Sequence, residues 1–152
     1  EGGISTPFIA SWPGKLEAGS ICREVGHVID LLPTFLELAG IPYPQEQAGV
    51  GLQPPEGISL APALLGKPHG ERALFWELRG CRAARVGDWK IVSEGEPRHH
   101  LGVPIPPGRE HWELYDMTAD RCELNDLSQE WPDVVRKLDA VWQDWHRRVT
   151  SA

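Results

Sequence analysis

The amino-acid sequence predicts an α+β segment, in which a small antiparallel sheet is covered by a C-terminal amphipathic helix. Three observations carry this expectation. Four short β-rich runs, 73–77, 82–86, 89–93 and 112–115, follow one another, separated by Gly80-Cys81, Gly87-Asp88 and a long Pro- and Gly-containing loop. Gly87-Asp88 is a natural two-residue hairpin turn between two of those runs. The end of the chain repeats Val134, Val135, Leu138, Val141, Trp142, Trp145 and Val149 at the spacing of one helix face.

Taken in order, residues 4–12 read as a strand. Pro7 cannot donate to a ladder, so that strand belongs at an edge, and Pro13-Gly14 closes it with a turn. Asp30 then precedes Leu31-Leu32-Pro33-Thr34-Phe35-Leu36-Glu37-Leu38-Ala39-Gly40. An acidic N-cap, a proline in the first turn and a terminal glycine mark a short helix whose apolar surface is too wide for solvent. Residues 42–68 are rich in Pro, Gly and Gln and read mostly as loop, apart from the apolar patch at 58–65. A composition boundary near Gly66 to Gly70 divides the chain into residues 1–68 and residues 69–152. The final helix has Pro132 near its start and His146-Arg147-Arg148 near the negative end of its dipole. Residues 1–68 supply one edge-like strand and one helix apolar nearly all round, so their partners are expected in a larger sheet upstream.

Composition bounds the function. With 152 residues, 41% hydrophobic and 24% charged, the chain has the make-up of a soluble globular protein rather than of a disordered tail. Its net charge of −7 comes without a basic stripe, which argues against nucleic acid as a partner. No apolar run approaches the roughly 18 to 20 residues that cross a bilayer, so no membrane span is expected, and any targeting signal would lie outside the chain. The opening Glu1, in place of Met, and the Gly-Gly turn after it point to a segment of something longer. Cys22, Cys81 and Cys122 are odd in number and lack a Cys-x-x-Cys spacing, so neither a full disulfide set nor a zinc site is indicated.

Six motifs then occur in register. They are Glu1-Gly2-Gly3-Ile4-Ser5-Thr6-Pro7-Phe8-Ile9 with Trp12-Pro13-Gly14, Asp30-Leu31-Leu32-Pro33-Thr34 with Leu38-Ala39-Gly40, Gly57-Ile58-Ser59-Leu60, Trp76-Glu77-Leu78 with Arg82-Ala83-Ala84-Arg85, Gly87-Asp88-Trp89-Lys90, and Glu113-Leu114-Tyr115-Asp116. None is specific alone. In this order they resemble the C-terminal part of bacterial arylsulfatases, members of the sulfatase family in the alkaline-phosphatase-like superfamily, and the resemblance covers nearly the whole chain.

The resemblance implies an α/β parent protein with an alkaline-phosphatase-like catalytic domain, of which residues 1–68 are the C-terminal end and residues 69–152 a small subdomain. It implies hydrolysis of a sulfate ester, either a small molecule or a sulfated glycan, by a formylglycine nucleophile upstream of this chain. It also implies a calcium ion held by the missing N-terminal part, a missing catalytic domain as the chain's partner, and a periplasmic or secreted setting. A geminal diol beside a metal is a better nucleophile than a plain hydroxyl, and cations neutralise the charge developing on the sulfate oxygens.

Residue by residue, the resemblance places Glu1, Gly2 and Gly3 directly after the sulfate-binding lysine, at the rim of the substrate pocket. The competing role for this tripeptide is a tight turn that needs glycine. Trp76, Glu77 and Arg79 fall where the small subdomain faces the catalytic domain. For Trp76 the competing role is interdomain packing, and for Glu77 an ion pair with Arg82 or Arg85.

No catalytic residue and no metal ligand is carried over. Cys81-Arg82-Ala83-Ala84-Arg85 has Ala where the Cys-x-Pro-x-Arg pattern of formylglycine needs Pro, and Ser11-Trp12-Pro13-Gly14-Lys15 has Lys where it needs Arg. Asn125-Asp126 reads as a turn and cap before the last helix. His99, His100 and His111 read as solvated loop histidines, His27 as a hydrogen-bonded structural one, and Trp131, Trp142 and Trp145 as packing rather than sugar-stacking residues. The alternatives to a sulfatase segment are a noncatalytic binding or interaction module and a piece of a related phosphonate or phosphodiester hydrolase. The isolated segment is expected to be inactive and to expose an apolar patch around residues 4–12 and 31–39.

Overall fold

The β-rich runs of the second half pair into one antiparallel meander. A computed structural model describes residues 1–47, 49–78, 80–93 and 111–151. Within it, β3 (Ala73–Leu78), β4 (Cys81–Val86), β5 (Trp89–Ser93) and β6 (Glu113–Asp116) lie side by side in that order. Gly87 takes a left-handed backbone (φ 57°) in the β4–β5 turn, the conformation a two-residue hairpin requires. The chain divides into two compact units, Thr6–Gly70 and Glu1–Ser5 with Glu71–Ala152.

In the sheet-containing unit, strand alternation sorts side chains onto two faces. Phe75, Ala84, Ile91 and Leu114 are successive cross-strand partners and form one row. Helix α3 (Pro132–Thr150) lays Leu138 and Trp142 on that row, and Ala84, Ile91 and Leu114 are wholly excluded from solvent. Aromatic rings seal the seam. Phe75 stacks on Trp145 at 5.0 Å, and Trp112 meets Trp142 edge-on at 5.8 Å. The Arg82 guanidinium lies 4.7 Å from the Trp112 ring centre and 5.2 Å from that of Trp142, so its charge faces aromatic rings in the seam.

The expected cap role of Asn125-Asp126 resolves into something more specific. Asp126 accepts hydrogen bonds from the amides of Leu114 (3.0 Å) and Ser128 (2.8 Å), and the Leu127 amide donates to the Leu114 carbonyl (2.8 Å). The segment before α3 is thereby stitched to β6. Burial alone would push the Asp126 carboxyl up, but the Leu114 and Ser128 amides, the Ser128 hydroxyl and His111 together hold it below its ordinary value.

The Thr6–Gly70 unit is built around α1 (Leu31–Ala39), which ends in a left-handed Gly40 (φ 65°) whose amide, with that of Ile41, satisfies the last carbonyls. Asp30 does not cap α1, contrary to the sequence expectation. A single 3-10 turn, Val28–Asp30, precedes the helix with His27 as its cap, and the Asp30 carboxylate accepts from the His27 amide (2.7 Å) and, across the unit, from the Ile58 amide (3.0 Å). His27 is indeed a structural histidine, its Nδ1 accepting from the Ile29 amide at 3.3 Å. Thr34 extends the same seam by accepting from the Leu60 amide (2.8 Å), which leads into the short helix α2 (Ala61–Leu64). Between these segments lies a two-residue pairing of β1 (Glu46–Gln47) with β2 (Val50–Gly51).

Residues 4–12 form no strand. Their Ile, Phe and Ile alternate as a strand would, but period-2 spacing makes a strand only where a neighbouring backbone pairs with it. Phe8 and Ile9 are 58% and 89% exposed, and Phe35 on α1 is 63% exposed, so the apolar surface expected from the sequence is present.

Candidate functional site

The face of the sheet opposite α3 carries the feature that draws together two of the six sequence-predicted rim residues, Glu1 and Trp76. Lys90 stands on that face of β5 with its side chain 1% exposed. Its ammonium donates to the Glu1 carboxylate and lies 2.7 Å from the Glu123 carboxylate, each of those side chains being more than four-fifths buried. The Trp76 ring, projecting from β3 on the same face, is 5.8 Å from the Lys90 ammonium. A buried ammonium is tolerated where carboxylates surround it, and here there are two.

Each partner is positioned locally. The amides of Ile4 and Ser5 donate to the Glu1 carbonyl (3.0 and 2.8 Å), coiling residues 1–5 into a turn that aims the Glu1 side chain at Lys90. Glu123 sits in the turn after β6 with a left-handed backbone (φ 57°), a conformation that disfavours side-chain-bearing residues. That turn is held by Asp120, which accepts from the amides of Leu124 (2.9 Å) and Asn125 (2.8 Å). The Glu1 backbone nitrogen also donates to Glu123. Burial raises the Glu1 carboxyl, but the hydrogen bond and charge of Lys90, with Ser5, outweigh it and hold the group below its usual value.

Glu1 and Trp76 therefore meet around Lys90, whereas Glu77, the next residue along β3, points to the α3 face. There it lies 3.1 Å from His146 Nε2, with 36% of its side chain exposed. Gly2 and Gly3 lie in the opening turn without left-handed backbone, and a Cβ built on either meets nothing within 4 Å, so the turn itself does not require glycine. Arg79 lies outside the described residues, as do His99 and His100. Lys90 and Glu123 were not singled out by sequence. A lysine in a short alternating strand reads as a solvent-facing residue, and its partner lies 33 positions further on, in a turn.

The near-matches to a formylglycine motif have structural surroundings. Arg82 of the first lies against Trp112 and Trp142, and its Arg85 donates to the Gly87 carbonyl (2.9 Å); Ser11–Lys15 is an exposed turn closed by the Lys15 amide on the Trp12 carbonyl (3.0 Å). Among the described residues no group of three or more His, Cys, Asp or Glu side chains converges to hold a metal ion, so those residues do not fit the divalent cation the resemblance implies. Among them, too, no helix is long and apolar enough to cross a membrane.

No family model matches the chain. It is 37% identical over 172 residues to the N-acetylgalactosamine-6-sulfatase of Canis lupus familiaris, covering 98% of this chain and 32% of that protein. It is 37% identical over 158 residues to the arylsulfatase A of Homo sapiens, covering 91% and 30%. Among solved structures, that of BT4656 in complex with its substrate D-glucosamine-2-N,6-O-disulfate superposes with a TM-score of 0.56 at 20% identity, covering 92% of this chain and 28% of the other, a likeness of fold. The chain spans between a quarter and a third of the length of these curated relatives. Along nearly its whole length the chain is thus similar to sulfatases, consistent with a C-terminal fragment of a longer sulfatase.

Proposed function

We propose that this chain is the C-terminal segment of a sulfuric ester hydrolase of the arylsulfatase kind, working with catalytic residues that lie upstream of Glu1. The observation that carries this reading is the match to named sulfatases over 91% or more of the chain at up to 37% identity. The nucleophile would be a formylglycine, whose hydrated aldehyde attacks sulfur. The divalent cation, calcium by the resemblance, would be held by the missing N-terminal part, as that resemblance implies. The substrate would be a sulfate ester, either of a small molecule or of a sulfated glycan, in keeping with what the relatives' names state of those proteins. A periplasmic or secreted setting goes with that reading.

Within this assignment residues 1–68 belong to the end of the catalytic domain and residues 69–152 form the small subdomain. By the resemblance Glu1, Gly2, Gly3, Trp76 and Arg79 would border the pocket, while Glu77, which the resemblance also put there, faces α3 instead. Gly2 and Gly3 support the rim role, because bare backbone at an exposed turn allows another group to approach closely. The test is hydrolysis of an aryl sulfate and of a 6-sulfated hexosamine by the protein comprising this chain and the coding sequence immediately upstream. Turnover that chelation abolishes is the expected result. Hydrolysis of a phosphodiester or phosphonate with no sulfatase activity would overturn it.

A further inference from the structure

We propose that Lys90 is a positioning residue, fixing the turn Glu1–Gly3 to the C-terminal sheet through the Glu1 carboxylate. The inference rests on the sulfatase reading for its functional meaning and on geometry for its substance. Residues 1–5 group with residues 71–152 and not with the segment they lead into. What ties the Glu1 side chain there is a buried ammonium from β5, seconded by Glu123 and roofed by Trp76.

Three further features separate a fastener from a chance ion pair. The Lys90 charge is almost wholly removed from water, so its attraction for the carboxylates is weakly screened and its desolvation is offset only while they stay in place. The Glu123 backbone is held in a conformation that disfavours its side chain, and that backbone position sets its carboxylate against Lys90. The turn that presents Glu1 is closed by two amides on a single carbonyl, that of Glu1 itself, so movement of Glu1 opens the whole turn. The rim of the pocket is therefore set by a strand of the small subdomain. A misplacement of about 1 Å at such a rim is enough to lower turnover about a hundredfold.

Two measurements test this. The first is amide hydrogen exchange on the whole chain for Lys90→Met, Lys90→Arg and Glu1→Gln. In Lys90→Met and Glu1→Gln the amides of Ile4 and Ser5 are expected to exchange about tenfold faster or more while those of β4 and β5 keep their protection, and Lys90→Arg restores much of the difference. Should Lys90→Met fail to fold, Glu1→Gln decides alone. Unchanged Ile4 and Ser5 exchange in Glu1→Gln overturns the proposal. The second is steady-state kinetics on an aryl sulfate with the enzyme that includes the upstream catalytic residues. There Lys90→Met is expected to lower kcat/KM about tenfold or more and Lys90→Arg to recover most of it. A folded Lys90→Met enzyme with unaltered kcat/KM overturns the positioning role. Absence of sulfate ester hydrolysis in the unsubstituted enzyme overturns the sulfatase reading instead, and leaves the exchange result to decide whether Lys90 fixes the turn.

Discussion

The Lys90 ammonium lies 2.7 Å from the Glu123 carboxylate, with 1% and 15% of the two side chains exposed. Removing one of the two carboxylates leaves the buried Lys90 ammonium only Glu1 as counter-charge, at a cost of up to about 3 to 5 kcal/mol. Glu123→Ala is accordingly expected to destabilise the sheet-containing unit by roughly that amount. The Asp133–Arg136 pair on α3, 75% exposed on both sides, is by contrast worth about 0.5 kcal/mol or less. Urea titrations followed by tryptophan fluorescence compare the two, and equal effects would contradict the assigned difference.

Gly57 makes a second prediction. A Cβ at this position would stand 2.1 Å from the Ile29 carbonyl oxygen, and the clash is with backbone, which cannot swing aside. The seam held by Asp30 and Ile58 passes directly beside it. Gly57→Ala is expected to cost about 3 kcal/mol through overpacking and to release the Asp30–Ile58 hydrogen bond, seen as rapid exchange of the Ile58 amide. An alanine variant as stable as the parent would show that the 57–60 segment packs elsewhere.

The sheet-containing unit also carries opposite sensitivities to acid and base. Glu1 and Asp126 titrate below their ordinary values of 4.5 and 3.8 once folded, so their contribution is complete above those values and is lost as the pH falls below them through the lowered, folded-state values. Tyr115 is shifted the other way. Burial, with the hydrogen bond it donates to Glu113 at 2.7 Å and the charges of Glu113, Asp126 and Glu123, raises its hydroxyl above the ordinary 10.0. Its contribution is present below that value and is lost as the pH rises beyond it. Thermal midpoints measured across the pH scale are expected to fall at both ends, with Tyr115→Phe blunting the alkaline fall alone.

Trp76 and Glu77 are neighbours in sequence that serve opposite faces of one sheet. Glu77→Ala loses a half-exposed contact with His146 and is expected to cost less than about 1 kcal/mol, without altering the opening turn. Trp76→Ala uncovers the Lys90 ammonium and is expected to cost about 3 kcal/mol or more and to speed exchange at Ile4 and Ser5. The same exchange experiment reads both variants. Loosening of the turn by Glu77→Ala would contradict the assignment of faces.

Much of this architecture is legible in the sequence because it is local. The α3 stripe from Val134 to Trp145 and the Gly87-Asp88 hairpin each need only a few consecutive residues to declare themselves, and the register of Ala84 against Ile91 follows from the hairpin. What escapes is non-local. Residues 4–12 have strand spacing without a ladder, and Asp30 looks like the N-cap of α1 until the 3-10 turn capped by His27 displaces that role. For the candidate rim, sequence points to Glu1 and Trp76 but not to Lys90, the residue between them. Only the folding of β5 against the opening turn reveals that its charge is buried.

The most direct measurement of the central claim compares sulfate release from an aryl sulfate by residues 1–152 alone and by the same chain joined to its upstream coding sequence. Turnover by the longer protein, abolished by replacing a cysteine or serine of an upstream Cys/Ser-x-Pro-x-Arg motif, with none from residues 1–152, is the predicted result. Metal-dependent hydrolysis by purified residues 1–152, or a longer protein that lacks such a motif and releases no sulfate, would contradict it.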